Sequence, residues 1–528
     1  MMKKIQKNSR RHPLYAKNGM VITGNVLASQ AGLQMLMQGG NAIDAAIATA
    51  AMLTVVEPTA NGLGSDCFAI VWIHEKLYGL NASGKSPALL SKEKVLHKHQ
   101  DHLQMPKYGW TPVTVPGAVS GWQALSKRFG KLPFAKLLAP AIEAAKHGFP
   151  LQQETARLWL KAIQNAKSNW QEPCFDAWFS TFDLPVEEGK IVKLPQIADA
   201  LEKIAKSGGE SLYTGQLAQR IEEESIKYGG FLRESDLEQH QVEWVEPLFV
   251  NYRGYQVYEL PPNGQGITAL MALNALACFD GENPDLPHTH LRIEAIKQAF
   301  AYAKRYISDP KAMNIDPSLL IDAKVGQEMA SRISLEKAGN DWLRPYGSGT
   351  VYLCTADREG NMVSMIQSNY MGFGSGIVVD GVSLQNRGAD FSLDENEINF
   401  LCPNKRTYHT IIPGFLCKAG KAIGPFGVMG GYMQPQGHVQ VITNLLDEHL
   451  DIQESLDAPR WMWLKDNELE VETDFDPDVI QDLKQRGHLV KIQEEYSHFG
   501  RGQILFRLEN GVYMGACESR TDSNISCY

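Results

Sequence analysis

The sequence has no long hydrophobic run, no closely paired cysteines and no excess of positive charge. The longest uncharged apolar stretch, residues 45–56, is rich in alanine and too short to span a bilayer. Residues 8–18 are polar where a secretion signal would need an apolar core, so we expect a cytoplasmic protein. The formal net charge of −9 gives no basic field to attract nucleic acid or an anionic membrane, and neither is an expected partner.

The eight cysteines are scattered, and none forms a CxxC pair. In a chain of 528 residues this spacing predicts reduced, mostly buried thiols and neither a disulfide framework nor a zinc site. The histidine-rich stretch from His97 to His102 is polar, and we interpret it as a solvated loop. The sequence therefore predicts neither a metal nor an organic cofactor.

Common catalytic motifs are also missing or incomplete. No GxSxG sequence signals the usual serine-hydrolase turn. Residues 79–86 do match the phosphate-binding pattern GxxxxGK[ST], but Pro87 follows at once where a helix should begin. A P-loop NTPase stays open as an alternative function, and so does a binding protein that never undergoes processing.

Local patterns predict mixed helices and strands. A helix over residues 27–37 should stop at Gly39, and Asn41 is placed to cap a second helix from 42 to about 53. Further helices are predicted at 118–128, 134–147, 197–207, 217–228, 288–307 and 438–446. Strands are predicted at 68–78, near 377–379 and near 428–429.

A hairpin is predicted after the turn-rich residues that end at Gly349. Residues 350–356 are rich in β-branched and aromatic side chains, 357–361 can turn, and 362–368 can form the second strand. A hairpin symmetric about Glu359 places Thr350 opposite Ser368. A bulge at Gly360 would slip that register by one residue.

Thr350 is a candidate nucleophile because of its position after Gly349. A threonine hydroxyl needs an adjacent base, and cleavage before Thr350 would free an α-amine with a pKa of about 7.7–8.0 for that purpose. The preceding glycine leaves its carbonyl open to attack by the threonine hydroxyl. Gly430 and Gly431 could supply the amides of an oxyanion hole, or they could form a simple tight turn.

Together with these features, the chain resembles the gamma-glutamyltranspeptidase family along almost its whole length. Its early part carries LASQAG (27–32), QGGNAIDAA (38–46) and VVEP (55–58), and its middle carries VPGAVSG (115–121) and ELPP (259–262). Its last third carries Thr350, DREGN (357–361), FGSG (373–376), NKR (404–406), the glycine pair, APR (458–460) and residues 515–522 in family order.

The resemblance implies an α+β fold of the αββα N-terminal-nucleophile type. It also implies autocleavage between Gly349 and Thr350, giving fragments 1–349 and 350–528 that assemble with each other. Thr350 would carry the acyl group, which water or an amine acceptor then removes. Ser368 matches the residue that hydrogen-bonds the nucleophile, Gly430 and Gly431 match the oxyanion hole, and Asp390 matches the carboxylate that binds the substrate's α-amino group.

Four positions depart from the family pattern. Ser83 stands where an arginine binds the α-carboxylate, Tyr370 and Arg387 replace side-chain amides, and His409 replaces a serine. This pattern is similar to the divergent branch that includes cephalosporin and glutaryl acylases. We therefore expect an amidohydrolase or acyltransferase for small γ-glutamyl or glutaryl-like amides. Besides Asp390, its expected substrate-binding residues are Tyr370, Arg387, His409 and Thr410, with Arg387 as the carboxylate anchor and Lys85 as a weaker candidate.

Overall fold

The computed structural model describes residues 11–100, 103–339 and 349–528. The helices in these ranges are α1 (Val26–Met37), α2 (Ala42–Val56), α3 (Lys92–Lys98), α4 (Ala118–Phe129), α5 (Phe134–His147), α6 (Gln153–Asn169), α7 (Asp176–Phe182), α8 (Pro195–Lys206), α9 (Gln216–Lys227), α10 (Glu234–Glu238), α11 (Gly266–Leu276), α12 (His288–Tyr306), α13 (Pro317–Leu320), α14 (Ala323–Ser331), α15 (Met433–Leu446), α16 (Ile452–Asp457) and α17 (Pro477–Gln485).

The strands are β1 (Leu14–Ala16), β2 (Gly19–Thr23), β3 (Asp66–Ile73), β4 (Lys76–Asn81), β5 (Phe149–Pro150), β6 (Ile191–Val192), β7 (Glu243–Val245), β8 (Leu248–Tyr252), β9 (Tyr255–Glu259), β10 (Val351–Asp357), β11 (Met362–Ser368), β12 (Val378–Val379), β13 (Val382–Ser383), β14 (Gly414–Lys418), β15 (Lys421–Met429), β16 (Trp461–Lys465), β17 (Glu468–Glu472), β18 (Leu489–Gln493), β19 (Arg501–Arg507), β20 (Tyr513–Cys517) and β21 (Asn524–Cys527).

Two seven-stranded sheets form the centre of the molecule. One has the strand order β21-β2-β10-β11-β3-β4-β7, and the other has the order β1-β20-β19-β15-β14-β9-β8. The sheets pack face to face, with β10 lying against β15 and β19. Helices α1 and α2 cover the first sheet, and α11 and α15 cover the second. The predicted αββα sandwich is confirmed, and each sheet takes strands from both sides of Thr350.

The pair α1 and α2 shows how local sequence sets this architecture. The Asn41 side chain accepts hydrogen bonds from the backbone N–H groups of Ile43 and Asp44. Asp44 in turn accepts one from the N–H of Asn41 at 3.0 Å, which completes a capping box. Every residue of α2 is buried because this helix lies between β10, β11 and α5.

Most predicted helices are confirmed with shifts of a few residues at their ends, but one predicted strand is wrong. Residues 68–78 do not form a single strand, because the chain turns at His74 and Glu75, which have φ of +51° and +57°. They belong instead to the hairpin of β3 and β4. The short polar turn lies between two apolar segments. The sequence pattern alone does not distinguish this hairpin from one continuous strand.

The structure also gives no support to the nucleotide-binding alternative. Gly79 lies within β4, and residues 82–86 continue without helical structure. In the described chain the next helix is α3, which begins at Lys92 and is too far along to present its N-terminus to a phosphate. The same helix contains His97, so that part of the predicted solvated loop is helical, whereas His102 lies outside the described residues.

The hairpin of β10 and β11 has the register that the sequence predicts. Val351 pairs with Gln367 and Ala356 pairs with Met362, without a slip at the turn. Thr350 therefore precedes the first paired residue, directly across from Ser368. No helix within the described ranges is both long and apolar enough to cross a membrane.

Candidate active site

The hydroxyl groups of Thr350 and Ser368 meet at the carbonyl of Gly349. Thr350 Oγ1 lies 2.7 Å from the Gly349 oxygen and 3.0 Å from Ser368 Oγ. Ser368 Oγ donates to the same carbonyl at 2.6 Å and accepts a hydrogen bond from the N–H of Tyr370 at 2.8 Å. The uncleaved chain thus has a hydroxyl nucleophile beside a peptide carbonyl that another hydroxyl polarises.

Gly349 occupies a position that only glycine fits. Its φ of +135° lies in the region that L-residues rarely adopt. A Cβ atom here would lie 2.6 Å from the N of Gly372 and 3.1 Å from the carbonyl oxygen of Tyr370. The residue before Thr350 is therefore held by backbone contacts with the segment that follows Ser368.

Gly430 and Gly431 follow β15 at the same end of the sandwich as Thr350. Met429, which precedes Gly430, and Val351, which follows Thr350, line the same small cavity between the two sheets. Gly430 has φ of +136°, and its carbonyl accepts a bond from the N–H of Met433 at 3.1 Å. The carbonyls of both glycines accept hydrogen bonds from the first residues of α15, Met433 and Gln434.

Gln265 connects the glycine pair with the neighbouring loop. Its Nε2 donates to the carbonyl of Thr410 at 2.6 Å and to that of Gly431 at 2.9 Å. Gln265 is fully buried, so these two bonds form in a site shielded from water. The segment that carries Thr410 is thereby fixed relative to the candidate oxyanion hole.

Asp390 is held by two tyrosines. The hydroxyls of Tyr432 and Tyr370 donate to Asp390 Oδ1 at 2.7 Å and 3.0 Å. Its Oδ2 is shielded from solvent and has no hydrogen-bond partner among the described residues. Burial raises the pKa of Asp390, while the Tyr432 hydroxyl and the Arg387 charge oppose that rise. One oxygen of this carboxylate is therefore left for a donor from outside the protein.

Arg387 is completely buried and only partly satisfied. Its Nη1 donates to Thr410 Oγ1 at 2.7 Å, and its Cζ lies 4.2 Å from the centre of the Tyr370 ring. Its Nε and Nη2 have no partner within the described parts of the chain, and it forms no ion pair there with Asp390. Burial lowers the pKa of Arg387, and the negative charges of Asp66 and Asp390 oppose that fall.

Asp66 is a site residue that the sequence reasoning missed. Its Oδ2 pairs with His409 Nε2 at 2.9 Å, and its Oδ1 accepts from Gln385 Nε2 at 2.9 Å and from the N–H of Gly84 at 3.1 Å. Burial raises the pKa of Asp66 to about 7 in spite of the nearby Arg387. In the sequence, Asp66 could have been noticed as a lone carboxylate at the start of an apolar strand.

The side chains of His409 and Ser83 form hydrogen bonds within the protein. His409 uses Nε2 for Asp66 and Nδ1 for the N–H of Ile411 at 3.4 Å, and burial lowers its pKa well below the ordinary value. The hydroxyl of Ser83 donates to Asn81 Oδ1 at 2.7 Å. Neither side chain is left with a free donor for a substrate carboxylate. Lys85, the weaker candidate for the carboxylate anchor, is partly exposed.

Similarity to known proteins extends over the whole chain. Residues 28–528 match the family model described as gamma-glutamyltranspeptidase. The chain belongs to the gamma-glutamyltranspeptidase family. Within this family the chain is 36% identical over 518 residues to the glutathione hydrolase-like YwrD proenzyme of Bacillus subtilis, covering 95% of this chain and 97% of that protein.

Two further relatives place this member of the gamma-glutamyltranspeptidase family among acylases and amidases. The oxamate amidohydrolase proenzyme of Klebsiella pneumoniae is 32% identical, with 97% of this chain and 98% of that protein covered. The crystal structure of cephalosporin acylase from Bacillus halodurans has a TM-score of 0.94 and 48% identity, covering 100% and 99% of the two chains. The chain is thus an amidohydrolase with the N-terminal-nucleophile fold, and neither alternative function has support.

Proposed function

We propose that this protein cuts its own chain before Thr350 and then uses Thr350 to hydrolyse or transfer the acyl group of small amides. The observation that carries the proposal is the meeting of the Thr350 and Ser368 hydroxyls at the Gly349 carbonyl, within 2.7 Å and 2.6 Å of its oxygen. Fragments 1–349 and 350–528 would remain associated because each sheet contains strands from both.

Maturation would proceed through an ester. The Thr350 oxygen attacks the Gly349 carbonyl carbon, the C–N bond breaks, and the Thr350 nitrogen takes up the proton that the hydroxyl loses. Water then hydrolyses the ester, which leaves a carboxylate on Gly349 and restores the Thr350 hydroxyl. Ser368 supports the first step because its hydroxyl stabilises negative charge on the carbonyl oxygen.

The mature enzyme would repeat this chemistry on a substrate amide. The free α-amine of Thr350 accepts the hydroxyl proton, Thr350 Oγ1 attacks the acyl carbon, and the amides of Gly430 and Gly431 stabilise the oxyanion. The amine leaves with that proton and the acyl group stays on Thr350. Water or a second amine then removes the acyl group and regenerates the enzyme.

The acyl pocket is proposed to bind a carboxylate through Arg387 and an ammonium through Asp390. Arg387 offers two buried N–H-bearing nitrogens, and Asp390 offers a shielded oxygen, yet the two side chains do not pair with each other. Unsatisfied buried groups of opposite charge favour a ligand that carries both charges. A γ-glutamyl group satisfies both, and a glutaryl group satisfies Arg387 alone.

The relatives' names fit carboxylate-bearing acyl groups of different lengths. Oxamate, cephalosporin and glutathione appear in the names of individual relatives, and the present chain shares whole-length similarity with each of these enzymes. Arg387 is a cation that could bind a substrate carboxylate in place of the family arginine, whose position is occupied by Ser83 in this chain. We therefore propose small γ-glutamyl or glutaryl-like amides as substrates.

Intact mass and N-terminal sequencing of purified protein test the first half of the proposal. We expect two fragments, the smaller one beginning at Thr350. Four p-nitroanilides then test the acyl site: γ-glutamyl, glutaryl, 4-aminobutyryl and butyryl. We expect the first two to be preferred, and an enzyme that favours the butyryl compound would contradict the carboxylate site.

A further inference from the structure

Asp66 connects the segments that position Arg387. It opens β3, where it pairs across the sheet with Ser368. Its oxygens bind Gln385, two residues before Arg387, and His409, one residue before Thr410. Arg387 donates to Thr410. Asp66 therefore contacts both the segment that carries Arg387 and the segment that carries its hydrogen-bond partner.

The charge of Asp66 acts on Arg387 without occupying its donors. Among the charged groups that sustain the pKa of Arg387, Asp66 has a larger effect than Asp390. Even so, Arg387 Nε and Nη2 make no hydrogen bond to Asp66 or to any other described residue. Asp66 thus partly neutralises the cation and leaves two of its nitrogens available.

We propose that Asp66 is a specificity-determining residue whose negative charge weakens the hold of Arg387 on a substrate carboxylate. This inference rests on the proposed anchoring role of Arg387. A bound carboxylate would place a second anion beside the same buried guanidinium, and the two negative charges repel each other strongly where water is excluded. Asp66 would thereby limit the affinity for carboxylate products and favour their release.

The proposal has a pH signature because Asp66 titrates near neutrality. Burial raises its pKa to about 7, while Arg387, the hydrogen bonds and Arg406 oppose the rise. The groups that face it are Arg387, Arg406, His409, the Gln385 amide and the Gly84 N–H. His409 stays neutral in this range because burial holds its pKa well below the ordinary value. Protonation of Asp66 below about pH 7 removes the competing charge, so carboxylate binding should tighten as the pH falls.

The direct test measures competitive inhibition by glutarate in the mature protein and in Asp66→Asn. The asparagine oxygen can still accept from Gln385 and Gly84, and its NH2 group replaces the oxygen that faces His409 Nε2, so the variant loses the negative charge and one acceptor. At pH 8 we expect glutarate to bind about tenfold more tightly to the variant, the size of one partly screened charge interaction. At pH 6 the difference should shrink. Unchanged or weaker binding in a variant with the parent's melting temperature would overturn the proposal.

A matched control is available in Glu259→Gln. Glu259 is likewise a buried carboxylate paired with a histidine, His438, at 2.6 Å, and it has no hydrogen bond to the acyl pocket. Its replacement should leave glutarate inhibition within twofold of the parent. If this control tightened glutarate binding as much as Asp66→Asn does, a general effect of losing a buried charge would replace our interpretation.

The parent protein provides a second measurement that does not depend on a variant folding. Butyrate can occupy the position next to Thr350 but has no second carboxylate for Arg387. The ratio of glutarate to butyrate affinity should therefore rise as the pH falls from 8 to 6. A ratio independent of pH would contradict the role of Asp66.

Arg387→Gln separates the two proposals. If glutarate inhibition is unaffected in that variant, the carboxylate anchor itself is wrong. If Arg387→Gln weakens glutarate binding but Asp66→Asn does not tighten it, only the inference about Asp66 fails.

Discussion

Ser368 Oγ lies 2.6 Å from the carbonyl oxygen of Gly349, within the peptide link that precedes Thr350. This bond exists in the uncleaved chain, before any substrate could bind. A hydroxyl in this position stabilises negative charge on the oxygen when the neighbouring Thr350 hydroxyl attacks. The hydroxyl of Ser368 can therefore assist chain cleavage as well as catalysis.

Replacing Ser368 with alanine should slow maturation. The loss of one donor to a developing oxyanion costs about 10²–10³ in rate in comparable sites. Timed gel analysis of freshly purified protein would show the full-length chain persisting in Ser368→Ala, whereas Ser368→Thr keeps the hydroxyl and should process. Maturation of the alanine variant at the parent's rate would show that Ser368 does not act in this step.

Substitutions at Thr350 distinguish the contribution of its hydroxyl from that of the surrounding residues. Thr350→Ala should remain a single chain without amidase activity because no hydroxyl is left to attack Gly349. Thr350→Ser retains both the hydroxyl and the potential α-amine, and it should be cut at the same bond. Mass spectrometry of both variants is sufficient, and efficient cleavage of Thr350→Ala would refute the assignment.

The activity of the mature enzyme should depend on the α-amine of Thr350. An α-amino group has a pKa of about 7.7–8.0, and only its neutral form can accept the hydroxyl proton. The rate with saturating γ-glutamyl anilide should therefore rise between about pH 7 and pH 8. A rate that stays flat from pH 6 to 9 would point to another base or to a slow step that involves no proton transfer.

Arg387→Gln should raise KM for carboxylate-bearing substrates more than it lowers kcat. Losing a hydrogen bond to a charged group costs about 1.5–3 kcal/mol, and the effect should appear for glutaryl and γ-glutamyl anilides. Arg387→Lys keeps the charge but cannot donate two parallel hydrogen bonds, so its KM should lie between those of the parent and of Arg387→Gln. The butyryl anilide is the internal control, since it has no carboxylate to lose.

Glu518 should contribute strongly to folding stability. It is fully buried between Arg460 and Arg520, and it accepts from the N–H of Gly502 at 2.8 Å. Burial alone would raise the pKa of Glu518, but the two arginine charges outweigh it and hold the pKa at about 2. Its stabilising effect is therefore present above the unfolded pKa of about 4.3 and is lost as the pH falls toward 2.

Glu518→Gln should lower the free energy of unfolding by about 3–5 kcal/mol at pH 7, because buried Arg460 loses its counter-charge and Arg520 keeps only Glu472. Urea denaturation of the variant in the uncut Thr350→Ala background would measure it. The exposed pair of Lys131 and Glu359 supplies the control, since Glu359→Gln should change stability by less than about 1 kcal/mol. Equal effects of the two substitutions would contradict the importance of burial.

The sequence was sufficient to predict the hairpin that follows Thr350, the proposed nucleophile. Its turn residues and the β-branched and aromatic residues of its first strand indicate the pairing, so the position of Thr350 opposite Ser368 followed from local rules. The cap at Asn41 was predictable for the same reason. These features depend on residues close together in the chain.

The acyl pocket was less accessible to such reasoning. Asp66 meets His409 across 343 positions of the chain, and Tyr432 reaches Asp390 across 42. No local pattern specifies these contacts, because they arise from the packing of distant segments. Arg387 could be identified as unusual by its position in the family pattern, but its unused nitrogens became apparent only in three dimensions.

The strand order has a consequence for what happens when the protein unfolds. β2 lies between β10 and β21, so a strand from one proposed fragment is enclosed by two from the other. An uncut chain can refold alone, at a rate independent of its concentration. Once the chain is cut, two separate polypeptides must find each other, and recovery becomes a second-order process that dilution slows. Self-cleavage would thus turn a reversibly folding protein into one whose lifetime depends on never fully unfolding.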